Sequence, residues 1–358
     1  MTLTINTNIA SMVAQRNLDK STNSLNTSLE RLTTGYKINK ASDNAAGYSI
    51  ADKWRTQISS LDEATDNAST GNDLLTTAEQ SYGILSEHLQ RIRDLTVQAS
   101  NGTYASTSLR AIQAEIYARL QEINRISANT EFNGVKLMKY IDKASESAKN
   151  KGIGMTQYGI DIQVGLYNNN DSVINMSVDL FKSAQISSLF RGGSVIIEKR
   201  TPKGDTETET KTLDQVLTAA GGSVAALNTQ DGLRAMAAAC SALKYTPNTD
   251  PTKGEGTYTM LADTSNNGAK AMIGFVDNAI NELSSRVTKI GASQNRIQSA
   301  ISAIDVQSQN LVSSLSTLRD TDVADESSKY IQSQILQQAS ATLLATANQS
   351  PSIALNLI

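Results

Sequence analysis

One cysteine, one histidine, one tryptophan and four prolines are spread over 358 residues, and each scarcity removes a class of protein. A single Cys and a single His exclude a disulfide framework and any structural zinc site made of those residues. A hydrolytic triad needs a histidine. The only one, His88, stands between Glu87 and Leu89 without a His-Glu-x-x-His partner, and its place in a helical pattern reads as solvated. Neither a Gly-x-x-x-x-Gly-Lys loop nor a Gly-x-Gly-x-x-Gly turn is present. The carboxylates form no recognisable acid/base pair, and Glu207 and Glu209 read as charge decoration of a loop. The expectation is a protein that is not an enzyme and carries no cofactor or metal.

Charge of one sign is also missing. Lys and Arg number 32 against 35 Asp and Glu, a formal net of -3, so there is no basic excess to attract nucleic acid. No window of 18 consecutive apolar residues exists, and no membrane insertion is expected. Met1 to Asn8 lacks a basic start leading into an apolar run, so no cleavable signal peptide is visible, and export would need another route. Aromatics make up only 4% while hydrophobic residues make up 39%, which suits thin helical stripes better than one large core. Cys240 ends an Ala-Met-Ala-Ala-Ala-Cys run and reads as a small buried hydrophobe, an intermolecular disulfide being the alternative.

What the chain does have is periodicity. Val276, Leu283, Ile290, Ile297, Ile304, Leu311 and Leu318 stand seven apart, with Ile280, Val287, Ile301 and Leu315 four places behind and interruptions at Gln294 and Ser308. This heptad seam predicts one helix of roughly 60 Å at about 1.5 Å per residue, which must bury a narrow stripe against helices of similar length. The chain supplies them. Trp54, Leu61, Ala68, Leu75, Tyr82 and Leu89 form a second heptad row, with Ile58, Ala78, Leu85, Ile92 and Ala99 alongside. A third row, Leu109, Ile112, Ile116, Leu120, Ile123 and Ile126, follows the breaker Asn101-Gly102. The simplest solution is an antiparallel hairpin of the two N-terminal helices, joined by the C-terminal helix in a bundle.

Residues 5 to 33 read as a helix with Leu18, Leu25, Leu29 and Leu32 on one face, ended by Gly35. Ile160 to Gly165 and Val173 to Val178, around the turn Asn168-Asn169-Asn170-Asp171, predict a β-hairpin. From 190 to 265 the heptads stop. Short signals there predict a strand at Ser194 to Lys199 and helices at Thr210 to Leu217 and Leu233 to Leu243, a small α+β module. At the far end Ile331, Ile335, Leu336, Ala339, Leu343 and Leu344 form another stripe, followed by Pro351 and the apolar tail Ile353 to Ile358. The stripes at Leu18 to Leu32 and Ile331 to Leu344 have little core around them, so both termini are expected to stay uncovered until assembly orders them.

Several motifs are family-specific. The run from Glu30 to Gly47, then Leu89 to Leu95, Ile112 to Ile116 and Phe132-Asn133-Gly134 resemble the N-terminal half of bacterial flagellins. Gly291 to Arg296, Gln334 to Ala339 and Ala347 to Pro351 resemble that family's closing motifs in family order, and Ile162 to Gly165 resembles the strand opening its β-hairpin. The resemblance covers about residues 1 to 185 and 265 to 358, whereas 190 to 265 resemble nothing nameable.

The resemblance implies a mainly α fold with a smaller α+β part. Residues 1–43 and 315–358 would form a terminal coiled-coil domain in the filament core, residues 44–185 and 265–314 a helical rod with the β-hairpin, and residues 186–264 a variable outer α+β domain. It implies a helical homopolymer that drives swimming, located outside the bacterium in the flagellum and exported through the flagellar type III apparatus. The assembly residues would be Leu18, Leu25, Leu29, Leu32, Ile331, Ile335, Leu336, Leu343 and Leu344. Expected partners are further copies of the chain, an export chaperone on the C-terminal helix, hook-associated and filament cap proteins, and host receptors. Gln90, Arg91, Leu95 and Glu115 align with the epitope of the animal Toll-like receptor. Glu30, Gly35, Asp43 and Gly47 belong to the peptide sensed by plant receptors, from which the chain departs at Asn44. The alternative is a hook-filament junction protein with flagellin-like ends.

Overall fold

Two helices of more than fifty residues carry the heptad rows. The computed structural model describes residues 8–138, 159–190, 194–200, 206–220, 222–223, 226–227, 229–241, 243–246, 257–260 and 267–355. Its helices begin with α1 (Ile9–Thr34), α2 (Ala45–Ala99) and α3 (Ser106–Asn129), and end with α7 (Asn267–Arg319) and α8 (Val323–Leu355). The chain divides into two compact units, Met1–Glu63 with Ala303–Ile358, and Ala64–Ser302. Both α2 and α7 contribute residues to each unit.

In the first unit α1 and α8 pair antiparallel, since Ser11 meets Asn348, Thr22 meets Gln337 and Arg31 meets Glu326. Gly35, at φ 75°, ends α1 by donating its N–H to the Arg31 carbonyl. The following turn is fastened to the α7–α8 link. Lys37 donates its backbone N–H to the Arg319 carbonyl at 2.6 Å, and Thr321 donates to the Gly35 carbonyl at 2.9 Å. The Arg319 guanidinium lies 4.1 Å from the Tyr36 ring centroid, a cation–π contact.

Helix α8 runs through Pro351 and continues to Leu355. Proline has no N–H to give the carbonyl four residues back, which is that of Ala347. The Asn8 side-chain amide donates to that carbonyl instead, at 2.7 Å, so the missing bond is replaced from α1. The tail residues 356–358 and the first residues of the expected N-terminal helix, 5–7, lie outside the described residues.

The second unit is the helical bundle that the heptads require. Arg91 of α2 bonds Glu115 of α3 and His88 lies against Arg119, so α2 and α3 run antiparallel. Arg93 pairs with Asp277 and Glu79 with Gln294, so α2 and α7 run antiparallel as well. Val276, Leu283, Ile290 and Ile297 of α7 and Ala68, Leu75, Tyr82 and Leu89 of α2 are all fully buried. Each such Leu or Ile contributes about 1.5–3 kcal/mol, which is what makes a seam of single residues sufficient. Gln294, an interruption in the second file, is explained by its bond to Glu79 at 2.9 Å.

After α3, β1 (Glu131–Phe132) and β2 (Val135–Lys136) turn through Asn133-Gly134. The hairpin β3 (Ile160–Gln163) with β4 (Val173–Met176) pairs Ile160 with Met176 and Gln163 with Val173. Its alternation is complete: Ile162, Ile174 and Met176 are buried, Asp161, Gln163 and Asn175 exposed. Short helix α4 (Ile186–Leu189) follows against α3, and its first N–H is taken by the Asn124 side chain of α3.

The inserted part holds β5 (Ser194–Arg200) antiparallel to β6 (Thr206–Thr212), α5 (Leu213–Ala219), α6 (Gln230–Cys240), and β7 (Leu243–Thr246) antiparallel to β8 (Thr257–Met260). Two sequence expectations are corrected here. Thr210 to Thr212 belong to a strand, and the helix begins only at Leu213, where Thr212 and Gln215 form a reciprocal capping box. The next helix ends at Cys240, and Leu243 opens a strand. α6 packs on α3 with Arg234 5.6 Å from the Tyr117 ring centroid. Cys240 is buried, and burial pushes its thiol up to about 12, as a small core residue requires and a surface disulfide does not.

Candidate assembly surfaces and recognition segments

The α1–α8 pair is unusual in what it buries. On the inner side of α8 lie Glu326, Ser333 and Ser340, with Gln337, Leu344 and Ala347 half-buried beside them. Opposite, α1 buries Ala14 and Ser28 and half-buries Leu18, Leu25 and Leu32. Polar contacts cross the pair beside the leucines. Gln337 donates to Thr22 Oγ1 at 3.1 Å, and Ser11 donates to Asn348 at 2.6 Å. Leu18, Leu25, Leu32 and Leu344 therefore serve the pairing of the chain's own ends and are not an uncovered stripe. The small facing serines let the helices approach, which gives these leucines partial cover.

Four large apolar side chains of α8 remain open. Ile331, Ile335, Leu336 and Leu343 are 55%, 60%, 49% and 64% exposed. At 100° per residue Ile331 and Ile335 fall opposite Ser333, Gln337 and Ser340, while Leu336 and Leu343 fall on the flank of that face. Leu29 of α1 is also exposed, and so are Ile9, Met12 and Val13 near its start. Those three were not singled out in the sequence, although their spacing already places them together on the side away from Leu18 and Leu25. An open apolar surface of this extent marks an interaction site.

The residues aligned with the Toll-like receptor epitope are brought together on α2 and α3, with one exception. Gln90 and Arg91 are exposed. Arg91 Nε lies 3.0 Å from Glu115 Oε1, and Arg119 approaches the same oxygen at 3.0 Å. Hydrogen bonding from Arg91, aided by Arg119, holds the Glu115 carboxyl below its ordinary value. Leu95 is only 2% exposed, so it packs the bundle and cannot itself touch a receptor on the folded chain.

The segment aligned with the plant receptor peptide is folded into the first unit. Glu30 pairs with Lys40 at 2.8 Å. The Asp43 carboxylate accepts N–H bonds from Lys40 and Asn39, each 3.0 Å, and these bonds lower its pKa. Asn44 caps α2 by accepting from the Gly47 N–H at 2.9 Å, so the departure at this position keeps a helix-capping side chain. Ile38 is buried against Gly47, where a Cβ would stand 2.8 Å from Ile38 Cδ1.

Long helices from both parts of the chain, paired antiparallel within each compact unit and displaying apolar faces beyond those needed for the subunit, define a structural self-assembly protein. Residues 5–143 match the bacterial flagellin N-terminal helical region, and residues 273–358 match the bacterial flagellin C-terminal helical region. Polar flagellin F of Vibrio parahaemolyticus serotype O3:K6 (strain RIMD 2210633) is 34% identical over 390 residues, covering 100% of both chains. Flagellin D of Vibrio cholerae serotype O1 (strain ATCC 39315 / El Tor Inaba N16961) is 32% identical over 397 residues, again covering 100% of both. The crystal structure of Bacillus cereus flagellin is 17% identical and covers 70% of this chain and 94% of that one, with a TM-score of 0.31.

The chain belongs to the bacterial flagellin family. Its function is that of a structural subunit of the flagellar filament, and a hook-filament junction role is not favoured. Among the described residues no helix is long and apolar enough to cross a membrane.

Proposed function

We propose that filament growth buries the outward face of α8, Ile331, Ile335, Leu336 and Leu343, together with Leu29, Ile9, Met12 and Val13 of α1, against neighbouring copies. The observation that carries this is the inversion within α8. Serines and Gln337 face the chain's own α1, while the large aliphatic residues face outward. In the proposed arrangement residues 1–43 and 315–358 line the filament core, residues 44–185 and 265–314 form the rod layer, and residues 186–264 face solvent. Leu18, Leu25, Leu32 and Leu344 contribute indirectly by holding α1 to α8.

Before assembly the same α8 face is covered by an export chaperone, and the chain leaves through the flagellar type III route. Cap and hook-associated proteins meet the two ends of the growing polymer. Host receptors read Gln90, Arg91 and Glu115 on the bundle, with Leu95 supporting them from beneath, and the segment containing Glu30, Gly35, Asp43 and Gly47. Removal of residues 331–358, followed by sedimentation and electron microscopy, tests the assembly reading. Loss of filaments with the Ala64–Ser302 bundle still folded by circular dichroism is expected, and filaments of normal length would overturn it.

A further inference from the structure

The dipeptide Asn-Gly occurs at Asn101, Asn133 and Asn267, and the fold holds each pair differently. An asparagine followed by glycine carries an internal reaction, because the glycine amide nitrogen can reach the side-chain carbonyl carbon with no Cβ in the way. Asn133 and Gly134 form the two-residue loop of the β1–β2 hairpin, at φ 48° and 78°. The pairing of Phe132 with Val135 and the bond from the Leu137 N–H to the Thr130 carbonyl, 3.1 Å, fix the backbone on both sides of that loop. Asn267 and Gly268 are the first residues of α7, whose helical torsions keep the nitrogen off the side-chain carbon. Asn101 and Gly102 lie between α2 and α3, outside both kinds of restraint. Both are exposed, no carbonyl among the described residues takes the Gly102 N–H, and a Cβ built on Gly102 would meet nothing within 4 Å.

We propose that Asn101 is a modification site, at which the folded chain converts its own side-chain amide to a carboxylate. The Gly102 amide nitrogen gives up its proton and attacks Asn101 Cγ. The bond from Cγ to the side-chain nitrogen then breaks, and ammonia leaves with the proton. Water opens the resulting five-membered imide at either carbonyl, giving aspartate or isoaspartate, and is the only co-reactant. The product sets negative charge just beyond the C-terminal end of α2, where the helix dipole disfavours it and the last turn holds no basic residue to offset it. In the isoaspartyl form the main chain runs through the former side chain and is one carbon longer. That displaces the bond from Gln98 Nε2 to the Tyr104 hydroxyl, 3.0 Å, which spans the turn. With time and rising pH a subunit thereby acquires a looser join between α2 and α3.

The test is incubation of the full-length chain at mildly alkaline pH, followed by digestion and mass spectrometry of the peptides that hold Asn101, Asn133 and Asn267. Asn101 should be lost at least about tenfold faster than the other two, the effect of about 1.4 kcal/mol in a barrier. In urea, where the fold is gone and each asparagine still precedes a glycine, the three rates should converge. Native Asn133 or Asn267 reacting as fast as Asn101, or native Asn101 surviving conditions that convert it in urea, would overturn the site. Gly102→Ala meets no neighbour and needs no positive φ, so it should keep the fold and slow the loss of Asn101 by about tenfold or more. An unchanged rate in that variant refutes attack by this nitrogen. Aged wild type should take up methyl groups from an isoaspartyl carboxyl methyltransferase and aged Asn101→Gln should not; equal uptake places the product elsewhere and sinks the proposal. Asn101→Asp should speed amide exchange in the last turn of α2, and exchange equal to that of the unaged wild type overturns the loosening.

Discussion

Asn8 donates its side-chain amide to the carbonyl of Ala347, the carbonyl that Pro351 leaves without a helical donor. The same side chain accepts from the Ser11 N–H and caps α1. One residue thus closes the start of α1 and repairs the end of α8.

Replacing Asn8 should loosen both helix ends together. Asn8→Ala loses the cap and the repair and should cost about 1–2 kcal/mol. Asn8→Asp keeps the cap but sets an acceptor against the Ala347 carbonyl, and adding Pro351→Ala should restore most of that loss by returning an N–H to α8. Amide exchange of α1 and the last turns of α8 reads the result. If Asn8→Asp and the double variant are equally unstable, the link between Asn8 and Pro351 is refuted.

Gly71 and Gly83 lie on the same helix and should respond to alanine with opposite sign. A Cβ at Gly71 would stand 2.1 Å from Ile162 Cδ1, beneath the buried face of the β3–β4 hairpin, whereas Gly83 is exposed with nothing within 4 Å. Gly83→Ala should stabilise by about 0.5–1 kcal/mol through helix propensity alone. At Gly71 the same gain is opposed by about 1–3 kcal/mol of overpacking, so the net effect is destabilising. Thermal unfolding of the two variants decides the matter by the sign of the change in Tm.

Tyr82 and Arg286 hold one strap of backbone from two helices. The Tyr82 hydroxyl donates to the Leu180 carbonyl at 2.9 Å, and Arg286 Nη1 donates to the Lys182 and Ser183 carbonyls at 3.0 and 3.1 Å. Tyr82→Phe leaves the shape intact but orphans a buried carbonyl, a loss of about 1–2 kcal/mol, and Arg286→Met should cost about 2–3 kcal/mol. Because Tyr82 also reaches the Lys182 carbonyl, the double variant should depart from additivity by about 0.5 kcal/mol or more in a denaturant-unfolding cycle.

Glu115 supplies the pH dependence. Its folded-state pKa lies below the ordinary value of 4.5, chiefly through the Arg91 hydrogen bond. The stabilisation is therefore present above the unfolded-state value and is lost as pH falls through the folded one. Glu115→Gln should lower Tm at pH 7 by an amount equivalent to less than about 1 kcal/mol, since the pair is partly solvated. The difference from wild type should shrink below a pH of about 4. A difference that grows on acidification would contradict this assignment.

Much of the fold was legible because a heptad row states both the length of a helix and the need for a partner. Val276 to Ile297 and Ala68 to Leu89 are buried as their spacing requires, and the hairpin register follows the alternation of Ile160 to Gln163. The inserted segment was less legible. A β-branched, charged run such as Thr206–Thr212 reads ambiguously until its pairing with Ser194–Arg200 is known. Leu95 illustrates the limit: its resemblance to a family motif suggested an exposed recognition residue, but packing inside the bundle leaves it 2% exposed.

The sequence by itself determined which residues share a helix face, where the long heptad helices lie, and the family to which the chain belongs. Only the tertiary structure decided which face turns inward. α8 presents Ser333, Gln337 and Ser340 to α1 and leaves Ile331, Ile335, Leu336 and Leu343 open, while Leu18, Leu25 and Leu32 gain their cover within the chain. The physical reason is that amphipathic periodicity fixes the angle between side chains on one helix but not the direction from which a second helix docks. Long-range contacts set that direction, among them the bond between Asn8 and the Ala347 carbonyl, residues 339 positions apart.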